Sequence, residues 1–326
     1  MKIHVTFILF IMLAINSTAQ QRIVNLETRW RFNLGDRMEW ANPSLDDTRW
    51  ELIDVPSTWE DQGFHGYDGY AWYRFTFDAA NLSKDVNYVL NLGYIDDACQ
   101  IFVNGQIIGF NGNFPPDFYT AYNAMNEFPI PKNLIKPNSK NVIAVRVFDI
   151  TLGGGIVSGK PGIYSSNYSN DMINLEGIWK FTTERDDNWA APRLDDSDWG
   201  LIMVPGYRKS KHIKEYVNYM WYRKSFWVTK EMLKKDYTIV LGYVDDFDTS
   251  MLNGVFIGRT YDGNRLGKSN SWRELRIYDL PKGLLKEGEN VLAVQVKDLG
   301  IDAGIYRGPV ALIETDLVTS LLRKRD

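Results

Sequence analysis

A single cysteine, Cys99, stands in 326 residues, and histidine is nearly as scarce, with His4, His65 and His212. One thiol excludes an intrachain disulfide, and separated histidines beside it make no zinc ligand set. Charge of one sign is lacking too: 37 Lys and Arg face 41 Asp and Glu, a net −4, with no basic run before Arg323-Lys324-Arg325. Nucleic acid and anionic membranes are therefore poor partners. No Gly-x-Ser-x-Gly elbow exists, and Gly35-Asp36 is followed by Arg37 where a nucleophilic serine would stand. Gly153-Gly154-Gly155 lacks the Lys-[Ser/Thr] of a phosphate loop and reads as a backbone bend after a strand. Long apolar runs are missing except Val5–Ile15, which follows Lys2 and precedes Ser17-Thr18-Ala19. That pattern predicts a signal peptide over residues 1–19, cut after Ala19, with no membrane insertion and no lipid anchor. The mature chain is expected in the periplasm or outside the cell.

What the chain does hold is a repetition. Trp30, Trp40 and Trp50 recur 149 residues later as Trp179, Trp189 and Trp199. Val55-Pro56, Trp72-Tyr73-Arg74, Leu92-Gly93-Tyr94, Asp96-Asp97 and Asn104-Gly105 recur at the same spacing, as do Asn141-Val142, Asp149 and Gly155-Ile156. An offset kept over so long a stretch points to two copies of a whole domain, because solenoid periods run about 20–50 residues. Shared positions are expected to serve the fold, and differing ones to separate the two copies' tasks.

Each copy alternates short runs of Val, Ile, Tyr, Phe and Trp with Asn-Gly, Asp-Asp, Pro and Gly turns, and long helical periodicity is absent. Lys230–Lys235 and Asp316–Leu322 are read as a turn or two of helix. The fold class expected is all-β, two tandem β-sandwiches over residues 20–167 and 168–316, with a tail at 317–326. Asn104-Gly105 and Asn253-Gly254 predict hairpin turns, since Asn and Gly tolerate positive φ.

Three groups of residues carry possible chemistry. Asp96-Asp97 and Asp245-Asp246, with Asp248 as a third carboxylate, could chelate calcium, which takes about six to eight oxygens. The same aspartates could equally accept backbone N–H bonds and stabilise a corner with no ion. The repeated tryptophans read first as core and second as platforms for sugar rings. Arg74 and Arg223 read as structural, paired with a carboxylate or stacked on a ring. Loops that the copies do not share offer ligand contacts: Trp59, His65, Tyr67, Asp68, Tyr70 and Tyr122 in the first, Tyr216, Tyr219, Trp272 and Arg273 in the second. These aromatics could instead bury a contact between the domains. Cys99 faces Asp248 in the alignment of copies, which argues against a catalytic thiol.

The ordered set Trp-x-Phe, Leu-Asp-Asp-[Thr/Ser]-x-Trp, Val-Pro, Trp-Tyr-Arg, Leu-Gly-Tyr-[Ile/Val]-Asp-Asp, Asn-Gly, Asn-Val-[Ile/Leu]-Ala-Val and Gly-Ile resembles the galactose-binding-like jelly roll of family 2 glycoside hydrolases. Sialate O-acetylesterases carry a similar jelly roll. The resemblance covers nearly all of both copies. It implies a module that binds or shapes a sugar site and carries no catalytic machinery itself. Asn126-Glu127 superficially matches that family's acid/base dipeptide, but the second copy has Leu275-Arg276 there. The function expected is therefore an exported, non-catalytic carbohydrate-binding module associated with glycan degradation, with no cofactor beyond a possible calcium. The alternatives are a family 2-like hydrolase, or an accessory subunit of a separately encoded glycosidase.

Overall fold

The computed structural model describes residues 20–83, 86–166, 172–184, 186–206, 219–261, 269–299 and 303–319. The expected signal peptide and Tyr216 fall outside them. The first half has strands β1 (Arg22–Asn25), β2 (Thr28–Leu34), β3 (Glu51–Val55), β4 (Gly69–Asp78), β5 (Tyr88–Asp96), β6 (Ala98–Val103), β7 (Gln106–Asn111), β8 (Met125–Ile130), β9 (Lys140–Asp149), β10 (Gly155–Ser158) and β11 (Gly162–Ser165). The second has β12 (Met172–Asn174), β13 (Gly177–Thr182), β14 (Gly200–Val204), β15 (Tyr219–Val228), β16 (Tyr237–Asp245), β17 (Phe247–Leu252), β18 (Val255–Thr260), β19 (Leu275–Asp279), β20 (Gly288–Lys297), β21 (Gly304–Arg307) and β22 (Ala311–Glu314). Helix among the described residues is confined to short segments. The expected turns at 230–235 shrink to a 3-10 piece at Met232–Lys234, because Lys235 is already extended.

The chain is all-β and antiparallel. In the first half a six-stranded sheet runs β3-β2-β4-β9-β6-β7, and in the second β14-β13-β15-β20-β17-β18. A five-stranded sheet opposes each: β1-β11-β5-β10 with β8 also on β5, and β12-β22-β16-β19 with β21 also on β16. Period-two alternation makes these sheets sandwiches. On β2, Trp30 and Phe32 point inward and are buried. They join Tyr73, Leu90, Ile101, Val145 and Ile163 in one apolar core, and Trp179, Tyr222, Ile239, Leu252 and Leu312 do likewise in the second half. Each inner tryptophan also satisfies its indole N–H: Trp30 donates to the Leu26 carbonyl at 3.0 Å and Trp179 to that of Leu175 at 2.7 Å.

Trp40, Trp50 and Trp72 lie elsewhere, in a small cluster with Ala41, Phe102 and Ala144, mirrored by Trp189, Trp199 and Trp221. Beside this cluster Arg74 donates to Asp47 at 2.8 Å and to the Asn42 carbonyl at 3.1 Å, and Arg223 repeats the arrangement on Asp196 and Ala191. The Leu-Asp-Asp and Trp-Tyr-Arg motifs are thus two ends of one ion pair, which holds the turn before β3 or β14 onto its sheet.

Candidate functional site

The loop between β3 and β4 does not present its aromatic residues as one surface. Trp59 is 0% exposed and packs on Phe32 and Tyr67, with its Nε1–H donating to the Tyr67 carbonyl at 3.1 Å. Trp59 is therefore core, a correction to its reading as a sugar contact. The physical reason is the glycine run: a Cβ on Gly154 would sit 2.2 Å from the Trp59 ring, so only glycine lets the chain close over it. The run is a lid of bare backbone rather than a simple bend. Tyr67 is half-buried, its hydroxyl donating to the Tyr70 carbonyl at 2.8 Å, while His65 and Asp68 are exposed.

Tyr70 faces away from Trp59. It stacks on Phe114 with centroids 5.8 Å apart and planes 8° from parallel, and the Arg146 guanidinium lies 4.8 Å from the Tyr70 centroid and 4.1 Å from that of Phe114. Asp36 and Gln100 hold the guanidinium, the first at 2.6 Å and the second at 3.1 Å. Beside this stack lies an open depression of about 310 Å³, lined by Gln100, Phe110, Asn113, Phe114, Asp117 and, from the second half, Leu201. In the second half Tyr219 and Tyr261 flank Lys297, whose ammonium lies 5.8 and 5.9 Å from their centroids.

The Asp–Asp pairs sit at the β5–β6 and β16–β17 corners, each joined by a cis peptide bond. Asp97 Oδ2 accepts the Ile150 N–H at 3.1 Å, and Asp246 Oδ2 accepts that of Leu299 at 2.9 Å. The second aspartate thus fastens the chain leaving β9 or β20 to the corner. A residue not counted with the pair in the sequence completes each group: Asp149 joins Asp96 and Asp97, and Asp298 joins Asp245 and Asp246, with ligand oxygens within 4.8 Å of one another. The recurrence of Asp149 as Asp298 was the available signal. Burial pushes the Asp149 and Asp96 carboxyls up to about 7, and neighbouring Asp97 and Glu60 add to the rise.

Asp248 does not belong to that group, which corrects its reading as a third carboxylate. It turns into the core, where its oxygens receive Arg276 Nε at 3.1 Å, the Ser250 hydroxyl at 2.8 Å and the Tyr278 hydroxyl at 2.9 Å. In the first half the matching positions are Cys99, Asn126, Ile101 and Phe128, with the Cys99 thiol donating to Asn126 Oδ1 at 3.1 Å. The register thus sets Arg276-Ile277, not Leu275-Arg276, in place of Asn126-Glu127, a correction to the match read from the sequence. A buried ionic network on one side thus replaces a neutral one on the other. Burial pushes the Cys99 thiol up to about 12, far from a reactive thiolate. Asn126, 0% exposed, is tied to the Gly93 carbonyl at 3.1 Å, and Glu127 lies exposed on β8. The Asn-Glu dipeptide is held by the sheet.

A loop braces each corner and carries one exposed ring. In the first half the Thr120 hydroxyl donates to Asp97 and Ala121 N–H to the Asp97 carbonyl at 2.8 Å, and the next residue, Tyr122, is 57% exposed. In the second the Ser271 hydroxyl donates to the Asp246 carbonyl at 2.7 Å, and the next residue, Trp272, is 36% exposed with Arg273 4.5 Å from its centroid. Of the loop residues singled out in the sequence, these two keep the same place in both halves.

The family described as the β-galactosidase second all-β domain matches residues 34–152 and again 183–302. A protein of Formosa agariphila provisionally named a β-glucuronidase is 32% identical over 143 residues, 40% of this chain and 13% of that protein. The β-galactosidase BoGH2A of Bacteroides ovatus is 29% identical over 132 residues, 36% of this chain and 14% of that protein. The chain therefore matches only a small part of these relatives' length. A family 2 glycosyl hydrolase structure from Bacteroides cellulosilyticus covers 84% of this chain and 31% of its own at 16% identity, with a TM-score of 0.38. Both halves carry the same match, and the chain belongs to the family of the β-galactosidase second all-β domain.

Proposed function

We propose that the chain is an exported, non-catalytic carbohydrate-binding module of glycan degradation. It is built from galactose-binding-like jelly rolls over residues 20–167 and 168–316, behind a signal peptide at 1–19. The observation that carries this reading is the exposed ring at an equivalent place in each half, Tyr122 and Trp272, fixed by a loop hydrogen-bonded to the Asp–Asp corner. An aromatic face presented on a rigid scaffold meets the weakly positive C–H face of a pyranose, while neighbouring polar groups take its hydroxyls. Two such rings on one chain gain avidity if both engage one glycan. The names of the relatives put β-galactosides and β-glucuronides first among ligands. A separately encoded glycosidase as partner belongs to the alternative reading, that of an accessory subunit. The test is a glycan array probed with the labelled chain. Binding to plant, host or microbial polysaccharide, lost in the Tyr122→Ala/Trp272→Ala double variant, is the expected result. No binding to any of them removes the reading.

A further inference from the structure

We propose that the first Asp–Asp corner binds a divalent, oxygen-seeking cation of the calcium class through Asp96, Asp97 and Asp149, with Glu60 adding negative charge close by. The three aspartates each turn an oxygen into a space less than 4.8 Å across. Asp149 is 0% exposed, and although Oδ1 accepts the Thr151 N–H at 3.4 Å, Oδ2 has no hydrogen-bond partner. Glu60 lies close by, outside that group of three: Oε2 accepts the Gly154 N–H at 3.0 Å, and Oε1 is buried without a partner. Gly154 joins the two, since a Cβ there would lie 2.7 Å from that of Asp149. Among the described residues no Lys, Arg or His forms an ion pair with any of the four. Buried carboxylate oxygens left without donors are costly, and either a bound proton or a metal ion relieves them.

The donor set decides which metals fit. It is all carboxylate oxygen, with no imidazole or thiolate, which suits calcium, magnesium or manganese and disfavours zinc and copper. Asp96 is only half-buried and gives the ion a way in from solvent. The second corner has the same three aspartates, but the place of Glu60 in the repeat is taken by Lys209, outside the described residues. The sequence therefore differs in charge between the copies at this position, and the first corner is the one proposed as the site.

The test is calorimetric titration of the chelator-stripped full chain with calcium chloride, run beside thermal melts and without any sugar, so that its outcome is separate from glycan binding. The expected result is one saturable event per chain and a melting temperature that climbs with calcium concentration. Asp149→Asn abolishes both responses. Should that variant fail to fold, Asp96→Asn, at the half-buried edge of the site, weakens calcium binding at least tenfold. Asp298→Asn leaves the response in place. No heat and no shift in the unmodified chain would overturn the proposal, as would binding unchanged in Asp149→Asn and Asp96→Asn, or binding lost only in Asp298→Asn.

Discussion

Arg276 and Asp248, both fully buried, are the positions at which the two halves disagree most in chemistry. Removing one member of a buried pair strands the other, at a cost of about 3–5 kcal/mol. Asp248→Asn and Arg276→Met are each expected to destabilise by that order in urea unfolding. Exchange of all four positions for the first half's set (Asp248→Cys, Ser250→Ile, Arg276→Asn, Tyr278→Phe) should recover most of the loss. A four-residue exchange as damaging as the single changes would contradict the equivalence of the two networks. Lys224 supplies a pH signature at the same scale. Its ammonium donates to the Ile178 carbonyl at 2.8 Å, and burial lowers its pKa from 10.5 to about 8. Between those values the unfolded chain binds more protons, so stability contributed by this group rises with pH from about 8 to 10.5. Unfolding free energies measured across that window should climb more steeply for the unmodified chain than for Lys224→Met. Neither feature was legible in the sequence. Asp248 stands beside an acidic pair in the chain, and strand alternation turned it to the opposite face.

At the scale of elements, the shared motifs work as fasteners between strands. Asn104, at φ +51°, makes the expected hairpin turn, and its side chain also donates to the Leu134 carbonyl at 2.7 Å and to Asn141 Oδ1 at 2.8 Å, while accepting the Val142 N–H at 2.9 Å. Asn253 repeats each of these bonds with Leu284, Asn290 and Val291. Asn104→Ala should therefore cost roughly 2–3 kcal/mol, more than a turn residue alone, because it orphans buried groups on two other segments. Gly93 is stricter. Its φ is +71°, and a Cβ would fall 2.0 Å from the Ser158 carbonyl oxygen, with Gly242 matched against Arg307 at 2.2 Å. Gly93→Ala is expected to lower stability by more than about 2 kcal/mol in chemical denaturation. Turn chemistry and the period-two pattern made these strands readable beforehand. The loops were not readable in that way, because composition cannot say which face of a loop meets solvent: Trp59 and Tyr122 look alike in the chain, and one is core while the other is exposed.

For the whole molecule, the spacing of 149 residues revealed the correspondence of strands but hid a difference in the sites. Tyr70, Phe114 and Arg146 lie on separate segments and meet only because β4 and β9 are neighbours in one sheet. Asp149 reaches the Asp–Asp corner for a similar reason: the end of β9 lies beside the start of β6. Convergence of this kind depends on sheet order, which motif spacing does not carry. The account's central claim is that the exposed rings beside the corners hold sugar without cleaving it. The most direct measurement is calorimetric titration of the full chain and its Tyr122→Ala/Trp272→Ala variant with soluble polysaccharides rich in β-galactosyl and β-glucuronosyl residues, followed by assay for released sugar. Saturable binding that the variant loses, with no sugar released, is the predicted result. Binding unchanged in the variant, no binding at all, or steady release of sugar would contradict it.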